Sequence, residues 1–68
     1  MKLNTVHIQI QATIKTLRHI GQDNYQIGQT LCDLYTSADL DTFEGDTSQE
    51  RDAIYAAKTV RIYRALDT

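Results

Sequence analysis

"LNTVHIQIQATIKTLRHIG", residues 3–21, fits two periods, and the choice between them decides the fold. Val6, Ile8, Ile10, Ala12 and Ile14 alternate with polar residues, as in a half-buried strand. Val6, Ile10, Ile14, Leu17 and Ile20 also form a helical stripe, and only this stripe continues past Ile14. A strand here would have nothing to pair with, because no second convincing strand follows. Asn4 is a good N-cap, and Gly21 stands where a helix would end in left-handed geometry. The stretch is therefore expected to be a helix over about 5–20. Ile8 and Ala12 fall roughly opposite its main stripe, which suggests a second contact surface.

The rest of the chain extends the helical reading. Proline is absent and the three glycines, Gly21, Gly28 and Gly45, are widely spaced, so long uninterrupted segments favour helices over short strands. Asp23 and Gln26 have the form of a capping pair that opens a second helix over 24–36. Its apolar face is expected at Ile27, Leu31, Leu34 and Tyr35. Gly28 lies near that face, where a missing side chain lets a neighbouring helix approach closely. Tyr25 and Cys32 share a flank.

A third helix is expected over 48–66. Tyr55, Ile62 and Leu66 mark one face, with Tyr63 beside it. Ile54 and Ala65 lie on one flank, and Ala53 and Val60 on another. Apolar coverage thus exceeds what a lone amphipathic helix in a three-helix monomer requires.

"DLDTFEGDTSQE", residues 39–50, has the outline of a calcium loop, with Asp39, Asp41 and Glu50 at its first, third and last positions. Phe43 occupies the fifth position and offers no side-chain oxygen. Glu44 stands where the turn glycine belongs, and Gly45 comes one residue late. Thr47-Ser48-Gln49-Glu50 reads instead as a capping box at a helix start. Asp46, Glu50 and Asp52 then sit where the helix dipole favours negative charge. Phe43 is expected to anchor the 37–47 loop in the core while its acids stay in water.

Chemistry is sparse. His7 and His19 lack zinc-site spacing, and Cys32 is the only cysteine, so an intramolecular disulfide and a Cys-based zinc site are excluded. No glycine-rich phosphate loop or nucleophile motif is present, so the chain is expected not to be an enzyme and to need no cofactor. The polar-interrupted N-terminus "MKLNTVHIQIQAT" is not a secretory leader, and no apolar run approaches the ~20 residues that span a bilayer. A soluble, cytoplasmic protein without membrane partners is the expectation.

The charges are segregated. Residues 1–22 carry Lys2, Lys15 and Arg18 and no acid, whereas residues 23–52 carry eight acids against Arg51 alone. Lys58, Arg61 and Arg64 then face only Asp67. This pattern suits an acidic middle facing basic ends, within one subunit or between two. It supplies no overall basic field to draw nucleic acid.

The expected fold is all-α: one domain over residues 1–68, a compact three-helix bundle with an acidic loop at 37–47. Self-association as a homodimer through Ile8, Ala12 and Ile54 is expected, because a chain of 68 residues buries only a modest core. The expected function is that of a non-enzymatic interaction module, an adaptor or inhibitor of a larger protein. Asp39, Asp41, Glu44 and Asp46 would meet a basic patch on that partner. The alternative is a small DNA-binding regulator that contacts duplex through Lys58, Arg61 and Arg64.

Overall fold

A computed structural model describes residues 5–67 as helices joined by short connections, with no strand among them. Four helices form: α1 (Thr5–His19), α2 (Asn24–Leu34), α3 (Ser37–Thr42) and α4 (Ser48–Leu66). The expected cap Asn4 lies outside the described residues. α1 buries Ile10 and Ile14 completely or nearly so, with Val6 and Leu17 packed at the core margin. Each fully buried isoleucine contributes roughly 1.5–3 kcal/mol relative to an exposed one. The stripe stops at Leu17, because Ile20 lies past the helix end and is exposed.

Gly21 explains that stop. It adopts φ +94°, and the next residues close a Schellman motif: Gly21 N–H donates to the Arg18 carbonyl, and Gln22 N–H to that of Leu17. Asp23 then opens α2 with a complete capping box. Its carboxylate accepts from the Gln26 amide at 2.9 Å, and the Gln26 side-chain oxygen accepts from the Asp23 amide at 3.1 Å.

The three-helix expectation is corrected by α3, which occupies half of the segment read as a loop. Thr36 caps it by accepting from the Asp39 amide, and Leu40, 1% exposed, anchors it. Six residues are too few to display a helical period, so the sequence signal is only the Thr36 cap and one buried leucine. Phe43 follows and enters the core. Its ring meets His7 edge-on, with centroids 5.5 Å apart.

α2 and α4 form the principal packing pair, and Gly28 sets their distance. A Cβ at Gly28 would lie 2.8 Å from the Ala56 carbonyl carbon and from the Ala57 amide nitrogen. Cys32, one turn on, donates its thiol to the Ala57 carbonyl. Contacts at Gly28–Ala56 and at Asp33–Arg64 make the two helices run in the same general direction. A pair of parallel neighbours cannot be joined by a tight turn, and α3 with the 43–47 segment makes the required crossover.

This close approach decides which face of α4 is buried. Its buried residues are Ala53, Ile54, Ala57 and Val60, whereas Tyr55, Ile62 and Leu66 point into water. Backbones this near one another admit alanine but not tyrosine or leucine, so the small flank packs and the bulky stripe is left outside. α2 rotates likewise toward Gly28 and Cys32, which leaves Leu34 exposed at 62%.

Candidate functional site

The acidic and basic residues singled out from sequence are brought together by the fold. Arg61 donates to Asp41 at 2.8 Å, joining α4 to α3, and Arg64 donates to Asp33 at 2.9 Å, joining α4 to α2. The Arg61 guanidinium holds the Asp41 carboxyl below its ordinary range, chiefly by this hydrogen bond. Two members of the basic strip therefore face acids of the same chain. Lys58 stands one turn before Arg61, exposed.

The remaining acids are distributed unevenly. Glu44 and Asp46 are exposed and Asp39 is half-buried in α3. Asp46 lies within hydrogen-bond range of the Gln11 amide group on α1. Thr47 caps α4 by accepting from the Glu50 amide at 3.1 Å. The reciprocal half of the box is displaced by one residue, because Glu50 accepts from the Asp46 amide at 3.0 Å. Asp39 and Asp41 lie within a helix, which places them on α3 rather than around a calcium-loop turn. Among the described residues, no group of three His, Cys, Asp or Glu side chains could hold a metal ion.

The expected dimer residues separate. Ile8, 50% exposed, and Ala12 line an open groove of about 580 Å³ between α1 and the start of α4, with Lys15 and Arg18 on its wall. Arg18 reaches across to donate to the Gln49 carbonyl. Ile54 is corrected: it is 8% exposed, belongs to the core cluster and shares no surface with Ile8. It turns inward next to Ala53 and Ala57 in the core cluster, whereas Ala65 of the same flank stays exposed.

Sequence reasoning did not identify the outer face of α4 as an open surface. Tyr55, Ile62, Tyr63 and Leu66 expose 74%, 62%, 54% and 74% of their surface along α4. The last buried residue of α4 is Val60, so the final turns carry bulky apolar groups with no intramolecular cover. Spacing did reveal this stripe, but not whether it faces the core or water.

Cys32 is half-buried against the core, and burial raises its thiol pKa, which disfavours the thiolate needed by a nucleophile. No helix among the described residues is long and apolar enough to cross a membrane.

These features define a small all-helical protein whose open surfaces are an apolar helix face, a groove and a divided set of charges. Comparison with known protein families, curated proteins and solved structures found no match to the chain.

Proposed function

We propose that the chain is a non-enzymatic protein-interaction module, an adaptor or inhibitor of a larger protein, and that it self-associates. The observation that carries this reading is the outer face of α4, where Tyr55, Ile62 and Leu66 lie opposite the buried residues. Contiguous exposed apolar surface larger than a few hundred Å² marks an interaction site. Asp39, Glu44 and Asp46 supply negative charge for a partner with a basic patch, and Asp41 joins them when Arg61 is displaced. Such charge raises the association rate and makes it salt-sensitive.

Co-purification of the full chain from its native source tests the reading. A stoichiometric protein partner should be recovered, and converting Asp39, Asp41, Glu44 and Asp46 to their amides should slow its association at low salt. Unchanged kinetics would remove the acidic segment from the interface. A gel shift with mixed duplexes at low salt separates the DNA-binding alternative: retention that depends on Lys58, Arg61 and Arg64 would replace the interaction-module reading.

A further inference from the structure

The open face of α4 has a coiled-coil spacing. Asp52, Tyr55, Thr59, Ile62 and Leu66 follow one another at intervals of three, four, three and four residues. Arg51, Lys58 and Ala65 border this stripe on one side, and Ala56 and Tyr63 on the other. Knob-into-hole packing of this stripe needs a second helix of matching pattern. We propose that the occupant is a second copy of the same face, with two α4 helices packed antiparallel about a two-fold axis between Val60 and Arg61. This proposal rests on the reading of the α4 face as an interface.

The antiparallel register is self-complementary in size. Tyr55 lies opposite Leu66 of the second copy, Thr59 lies opposite its Ile62, and Tyr63 packs beside its Ala56. Each bulky group thus meets a smaller or flexible one, and the symmetry repeats every pair twice. Lys58 of one copy falls beside Ala65 of the other. Asp52 extends past the second helix's end into water.

The parallel alternative fails on the same residues. It would stack Asp52 on Asp52 inside the seam, Thr59 on Thr59, and align the helix dipoles head to head. Arg61 and Arg64 lie on the far side of α4, held by Asp41 and Asp33, so the dimer leaves both ion pairs in place. Groove residues Ile8 and Ala12 also stay outside it.

The area is sufficient. At roughly 150–250 Å² for a large side chain, the four exposed groups present on the order of 500 Å² per copy. Complete burial of all four on both copies removes at most about 1,000 Å² in total, the threshold for a weak, transient interface. A reversible dimer of modest affinity follows.

Sedimentation equilibrium of the full chain, combined with cysteine cross-linking, tests the proposal. The wild type should shift from 7.7 kDa toward twice that mass as concentration rises. Ile62→Lys, at an exposed position, should weaken the dimer about ten-fold or more while far-UV circular dichroism is unchanged. In a Cys32→Ala background, Tyr55→Cys with Leu66→Cys should form covalent dimers on oxidation, whereas Tyr55→Cys alone should not. A single 7.7 kDa species at every concentration would overturn the proposal. So would a dimer indifferent to Ile62→Lys, or cross-linking by Tyr55→Cys alone. If the wild type is monomeric and Ile62→Lys still abolishes recovery of a native partner, the second-copy proposal fails while the interaction-module reading stands.

Discussion

Arg61 Nη2 lies 2.8 Å from Asp41 Oδ1, so the residue that would read DNA and the residue that would meet a basic partner hold each other. Their pairing connects α4 to α3 and ties the crossover to the helix that it leads into. Two ion pairs thus close part of the charge segregation within one chain.

The pair makes stability depend on acid. Folding lowers the Asp41 carboxyl pKa, so the folded state binds fewer protons there, and the stabilisation is present above the unfolded value near 3.9. It is lost as pH falls through the lower folded value. Thermal unfolding of wild type and Asp41→Asn should therefore differ near neutrality and converge in acid. A constant difference across pH 2–7 would dissociate the pair from stability. High salt should shrink the difference, since both groups are solvent-accessible.

Gly28→Ala sets helix propensity against packing. In an open helix the change would stabilise by about 1 kcal/mol. Here the new Cβ meets backbone atoms of Ala56 and Ala57 at 2.8 Å, and backbone cannot rotate away. Overpacking costs roughly 1–3 kcal/mol and a clash with backbone falls in the upper half of that range, so the net effect is destabilising by about 1–2 kcal/mol. Urea unfolding gives the sign directly, and a stabilised variant would mean that α2 and α4 are further apart.

Gly21→Ala isolates backbone strain. Nothing lies within 4 Å of the added methyl, but φ is +94°. The left-handed geometry alone should cost about 1–2 kcal/mol. Gly21→Asn, which tolerates this region better, should lose less. Equal losses would point to a contact rather than to φ.

Thr47→Ala removes the side-chain acceptor for the Glu50 amide and should cost about 1 kcal/mol. Glu50→Gln should cost less, because its side-chain oxygen can still accept from the Asp46 amide. Chemical denaturation of the two variants checks the order.

Cys32 should alkylate slowly in the folded protein. Its thiol pKa is raised, mainly by burial, and it donates to the Ala57 carbonyl. At pH 8 the folded chain should react at least about ten-fold more slowly than the denatured chain. Equal rates would mean that the thiol is freely accessible.

The first helix was legible because its stripe outlasted the competing alternation, and Gly21 marked its end. The second and the last were legible from caps: Asp23 with Gln26, and Thr47 with Glu50. α3 was not, because one buried leucine and one capping threonine carry no period. The candidate surfaces were legible as patterns but not as locations. Ile54 and Tyr55 are adjacent in sequence, and nothing local says which of the two turns inward.

The chain alone determined that it is helical, where three of its four helices run, and that its charges are divided by sign. These are local matters of backbone geometry, capping and periodicity. Tertiary structure alone decided which face of α4 is buried, because burial depends on the distance to the neighbouring helix. Gly28 brings that helix to contact with the backbone, so Ala53 and Ala57 fill the interface and Tyr55, Ile62 and Leu66 are excluded from it. Side-chain size is written at each position, but the space available to it is set by residues far away in the chain.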